Sequence, residues 1–146
     1  MAITSEICNS FKVEILTGVH NFTASTGDTF NLALYTSSAT LNKSTTAYSS
    51  TNEITNTSGT SYSAKGNALT SVTPVLSTDT AVCDFANTSW TSASFTSRGC
   101  LIFNDTAAGD PAVCAIDFGG DKTVTSGTFT IEFPAASAAT AIIGIA

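Results

Sequence analysis

The sequence predicts a mainly β protein: an antiparallel β-sandwich, immunoglobulin-like or jelly-roll-like, with one N-terminal α-helix. Three observations lead there. The 146 residues fit a single domain, since one core organises about 100–200 residues. After Gly18 the apolar period drops from that of a helix to that of a strand, and several short alternating runs follow. Turn formers separate those runs: Gly27-Asp28, Gly109-Asp110-Pro111, Gly119-Gly120-Asp121 and Ser126-Gly127.

The helix is expected over residues 4–17. Ser5 or Thr4 can cap it, and Glu6 lies in the first turn, where the helix dipole favours a negative charge. Ile7, Phe11 and Ile15 recur at i, i+4 and i+8; with Cys8 and Leu16 beside them they form one apolar stripe. Gly18 ends the helix in the left-handed conformation that suits glycine. The sandwich is expected over residues 28–146. Phe30, Leu32 and Leu34 alternate with Asn31, Ala33 and Tyr35 in its first strand. Val72, Pro74 and Leu76 mark a second, which Pro74 confines to a sheet edge. Ala81–Phe85 is a third. Phe95–Phe103 is a fourth, with Leu101-Ile102-Phe103 apolar on both faces. Ala112–Phe118 is a fifth. Phe129, Ile131 and Phe133 alternate with Thr128, Thr130 and Glu132 in a sixth, and Ala141–Ile145 closes the set. Gly119-Gly120 reads as a hairpin turn between the fifth and sixth. Thr suits the solvated strand faces because it is β-branched and hydroxylated. Residues 36–66 read as a long polar loop with a short strand near Glu53-Ile54; a loop longer than about 12–15 residues is usually functional or mobile.

Composition excludes several functions. Charged residues are 11% of the chain, against a usual value of about 25%, and the formal charge is −6. An acidic chain with five cations is not built to grip a phosphate backbone, so no nucleic-acid partner is expected. A 42% hydrophobic content argues against disorder. The Met1–Glu6 start has no basic region or apolar core, so no signal peptide is read there. The apolar run Ala135–Ala146 is shorter than the roughly 20 residues a spanning helix needs, so no membrane partner is expected. Cys8, Cys83, Cys100 and Cys114 show no Cys-x-x-Cys spacing, and are expected as free, buried thiols.

No catalytic motif emerges. The only His, His20, follows the helix terminator and reads as a polar loop residue. Gly-x-Ser-x-Gly is absent, and Lys65-Gly66 reverses the order a phosphate-binding loop needs. Asp84, Asp105, Asp110, Asp117 and Asp121 sit at strand ends and turns, where Asp bonds the local backbone. Asp105, Asp110 and Asp117 converging in one cleft would suit a glycan-active enzyme with two carboxylates. The expectation is otherwise: no enzyme, no metal and no cofactor.

Segments spread along the whole chain carry a resemblance. They are Ile7-Cys8-Asn9-Ser10-Phe11-Lys12, Gly27-Asp28-Thr29-Phe30, Leu32 through Leu41, Thr73-Pro74-Val75-Leu76, Cys83-Asp84-Phe85-Ala86, Ser97 through Ile102, Asp117 through Lys122, Gly127 through Pro134 and the Ile-rich end. In these the chain resembles a family of small proteins of tailed bacteriophages of aquatic bacteria, cyanophages among them, whose members are similar to virion structural components. Asn56–Tyr62 is more polar and less Gly-rich than that pattern. The resemblance implies a virion protein assembled in the host bacterial cytoplasm, non-enzymatic, and a homo-oligomer. It would act as a head decoration or cement protein on the major capsid protein. The alternative is a tail or fibre appendage, among tail proteins, that binds a host glycan or receptor. Candidate interface residues are Tyr35, Tyr48, Tyr62, Phe11 and Lys12. Tyrosines exposed on the 36–66 loop would favour the appendage; tyrosines packed into the core would favour decoration.

Overall fold

A computed structural model of the chain describes residues 1–55 and 61–146. The polar stretch beginning at Asn56 therefore lies largely outside the described residues. The elements run β1 (Glu6–Ile7), α1 (Asn9–Leu16), β2 (Phe30–Tyr35), β3 (Asn67–Ala68), β4 (Ser71–Ser77), β5 (Thr80–Phe85), β6 (Thr88–Asn104), β7 (Ala112–Ile131) and β8 (Ile143–Ile145). They form two antiparallel sheets in a sandwich-like arrangement that does not close into a barrel. The large sheet has the order β1-β7-β6-β2-β3 and the small one β4-β5-β8. Aromatic rings join them: Phe22 stacks on Phe30 of β2 at 4.2 Å, and Phe85 of β5 lies 6.0 Å from Phe30 and 5.4 Å from Phe133.

The helix is shorter than expected. It starts at Asn9, and Glu6 and Ile7 instead pair with Ala115 and Cys114 of β7. Neighbouring strands and loops take the backbone donors that a helical first turn would leave free. Thr4 N–H donates to Leu41 O (2.9 Å), Cys8 N–H to Val113 O (3.0 Å) and Asn9 N–H to Lys43 O (2.8 Å). Ser5 caps nothing; its hydroxyl accepts from Asp117 N–H at 2.8 Å. The other end is as expected. Gly18 has φ +76°, and Val19 N–H closes back on Glu14 O at 3.0 Å.

The largest correction concerns the two strands expected around Gly119-Gly120. They are one strand, β7, and the glycines lie in a bulge. Ser97 pairs with Lys122 and Gly99 with Asp117, so Phe118–Asp121 stand opposite Arg98 alone. Ser126-Gly127 belongs to a second bulge, between the pairs Ala93–Gly127 and Phe95–Val124. The positive φ that suits a turn, +77° at Gly119 and +46° at Ser126, suits a bulge equally. The Arg98 guanidinium clamps the first bulge, 2.9 Å from Asp117 and 3.9 Å from Asp121. These bulges bend the β6–β7 ribbon sharply. Phe118 and Phe129 belong to one strand, yet their ring centroids are 6.3 Å apart. A straight strand, at about 3.3 Å per residue, would separate them by roughly 35 Å.

β2 is buried at every residue, with β6 and β3 on its two edges. β4 is an edge strand, and Pro74 falls where its register against β5 shifts. The strand expected near Glu53-Ile54 reduces to an isolated bridge between Tyr35 and Glu53, with Ile54 N–H donating to Leu34 O at 2.8 Å.

Candidate interaction surface

The proposed interface aromatics are mostly interior. Tyr35, Tyr62 and Phe11 are buried, so none of the three offers a contact surface. Phe11 sits 4.9 Å from the His20 ring and edge-on to Phe22. Tyr48 is half-buried, stacked 4.7 Å from Phe103. Lys12 is exposed and donates to Asn9 Oδ1 at 3.1 Å. The tyrosines gather around a residue that sequence reading placed only on a short strand. Glu53 is 6% exposed, and its carboxylate accepts from Tyr48 OH (2.5 Å), Tyr62 OH (2.7 Å) and Lys65 N–H (2.8 Å). Tyr62 OH also accepts from Leu34 N–H at 2.9 Å, which ties this loop to β2. Burial, and then the hydrogen bond to the Glu53 carboxylate, pushes the Tyr48 hydroxyl up to about 12. The same two causes, in the same order, raise Tyr62; burial and the Glu53 charge raise Tyr35.

Two of the three aspartates weighed for catalysis do meet, but with a cation between them. Lys65 Nζ lies 2.7 Å from Asp105 and 2.9 Å from Asp110. Asp117 stands apart, where Arg98 and the Gly119 N–H hold its carboxyl below the usual range. His20 is not a loop-surface residue. It is buried in a polar chain running from Glu14 to Asp28. Asn104 Oδ1 accepts from the Thr106 and Ala107 N–H groups, which fixes its amide orientation. Asn104 Nδ2 therefore donates to His20 Nδ1 (3.1 Å) and Asp28 (2.8 Å). The His20 proton then resides on Nε2 and points at Glu14, 2.8 Å away. A lone polar residue after a helix gives no sequence signal of such a chain, because Asn104, which links His20 to Asp28, lies 84 positions away. All four cysteines are free; three are buried, and Cys83 is half-buried. Among the described residues no cluster of His, Cys, Asp and Glu could hold a metal ion, and no helix is long and apolar enough to cross a membrane.

The exposed apolar side chains lie elsewhere. Leu76 of β4 pairs with Ala81 of β5, and Ala81 with Ile145 of β8. Cross-strand partners project from the same sheet face, so these three make one row across the small sheet. Leu76 is 72% exposed and Ile145 52%. The row runs into a cleft of about 380 Å³ between this sheet and the α1 end of the molecule. Ile15, Phe22, Pro74, Cys83, Ile143 and Ile145 line it, with His20 at its wall. Val13 and Leu16 on α1 are exposed as well. From Gly66 to Ser97 and from Thr123 to Ala146 the sequence contains no Lys or Arg. The small sheet and its turns therefore carry Asp79 and Asp84 and no cation. Comparison with protein-family models, with curated proteins and with solved structures finds no match.

Proposed function

We propose that the chain is a non-enzymatic virion structural protein of a tailed bacteriophage, a capsid decoration protein that reinforces the head. The phage assignment rests on the sequence resemblance. The contact role rests on one observation, the exposed row Leu76–Ala81–Ile145 and the apolar cleft it enters. Apolar surface left open on a folded domain is stabilised by covering it, at about 25 cal/mol per Å². Each such contact is modest, and repetition over a symmetric lattice multiplies it. The bent, bulged ribbon and the aromatic core supply a stiff body to carry the contact.

One detail favours decoration over the appendage, and a second speaks against an enzyme. Tyr62 of the 36–66 loop and Tyr35 at its start, the last residue of β2, are committed to the core, so neither is an exposed anchor for a glycan. Asp105 and Asp110 are tied to Lys65, which works against a free acid–base pair. The test is quantitative mass spectrometry of purified particles, counting this chain against the major capsid protein. A copy number comparable to the capsid protein supports decoration. A count of a few copies per particle moves the chain to the tail, and its absence from particles overturns both.

A further inference from the structure

We propose that the cleft between the small sheet and α1 takes an extended apolar segment of a different protein, flanked by lysine or arginine. The proposal rests on the reading of this end as a contact face and names its partner's chemistry. Shape and lining set the apolar part. The cleft of about 380 Å³ has room for a few aliphatic side chains, and Ile15, Phe22, Pro74, Ile143 and Ile145 would surround them. Ala81 lines the cleft as well, and Leu76, its partner on β4, extends the apolar floor to the sheet's outer edge.

Charge sets the flanks. Asp79 is exposed in the turn joining β4 to β5, two residues before Ala81 and three after Leu76. On the other side Glu14 lies on α1 beside Ile15 and keeps a partly exposed carboxylate. His20 Nε2 lies 2.8 Å from one oxygen of that carboxylate. No lysine or arginine belongs to the small sheet or lines the cleft. Lys12, the one cation on α1, reaches back to Asn9 at the helix start. The apolar surface is thus bordered by carboxylates on both sides. A second copy of this chain, itself at −6, would bring the same carboxylates against them, which disfavours self-docking here. A partner with cations beside its apolar residues gains attraction at both borders. Self-association of the chain would then use another face.

Cys83 supplies the readout, because it lines this cleft and is the least buried of the four thiols. Alkylation of native protein by N-ethylmaleimide would be followed with two synthetic peptides. Both carry the same Val-Leu-Ile centre; one is flanked by lysines and the other by glutamates. The lysine peptide, well above its Kd, is expected to slow Cys83 alkylation roughly tenfold or more. The glutamate peptide is expected to leave the rate unchanged. Leu76→Glu with Ile145→Glu should abolish protection, whereas Thr125→Glu on the large-sheet ribbon should preserve it. The replaced side chains are exposed, so folding is retained, and circular dichroism checks it. Failure of the lysine peptide to protect overturns the proposal. So does equal protection by the glutamate peptide, or protection that survives the double substitution. If alkylation instead slows as the protein itself is concentrated, with a doubled mass on gel filtration, a second copy fills the cleft and the proposal falls. Particle counting is independent of all these outcomes, so a negative peptide result leaves the virion reading to its own test.

Discussion

Tyr62 shows how much of this molecule is settled at single side chains. Its ring packs 5.7 Å from Trp90, and its hydroxyl works in two directions, donating to Glu53 and accepting from the β2 backbone at Leu34. Tyr62→Phe would keep the ring and remove both bonds. The Leu34 N–H would lose this buried acceptor, and the Glu53 carboxylate would lose one of its three donors among the described residues. The expected loss is about 1–3 kcal/mol in urea denaturation, the usual cost of an unsatisfied buried group. An unchanged midpoint would show that this network does not hold the loop to β2.

At the scale of elements, glycine positions separate backbone conformation from packing. Gly119 and Gly66 both have positive φ. A Cβ at Gly119 would meet open space, while one at Gly66 would run into the carbonyl of Leu32 in β2. Gly119→Ala should therefore cost only the left-handed strain, roughly 1–2 kcal/mol. Gly66→Ala should cost clearly more, since β2 has to move as well. Equal losses in chemical denaturation would refute this reading of the loop docked along β2. The β7 bulge has the same origin. Arg98 is one residue facing four, and its two carboxylate partners sit at either end of the extra loop of chain. The turn chemistry at Gly119 and Ser126 was visible in the sequence. That it produces bulges follows from β6 continuing alongside, which local residues do not encode.

Over the whole molecule, the buried hydroxyls and thiols act together on pH stability. Burial, first among the causes, pushes the Cys8 thiol up to about 11 and the Cys114 thiol to about 12, and it raises Cys100 as well. Tyr48 rises to about 12, and Tyr35 and Tyr62 rise too. In the unfolded chain thiols ionise near 9.0 and tyrosines near 10.0. Between those values and the folded ones, the unfolded state binds fewer protons than the native state, so stability falls as pH rises. Thermal melts should show this contribution complete below about pH 9 and lost progressively toward pH 12. A flat Tm across that range would mean that these groups titrate normally in the folded protein.

The fold class, the glycine stop of the helix, most strand positions and the edge placement of the Pro74 strand were legible in the residues alone. Each depends on a periodicity or a backbone preference that neighbouring residues carry. Long-range packing selected which backbone groups found partners. It turned the expected first helical turn into β1, because β7 and the Leu41–Lys43 loop took its donors. It merged two strands into β7, and it drew Tyr62 inward onto Glu53 and Tyr35 onto the Ser49 carbonyl. It also left Leu76 and Ile145 exposed on strands whose alternation alone would have placed them inside. Alternation shows that a strand has an apolar face; whether that face meets a core or solvent depends on how far the opposing layer extends, and here the face bearing Leu76 and Ile145 is left open to solvent.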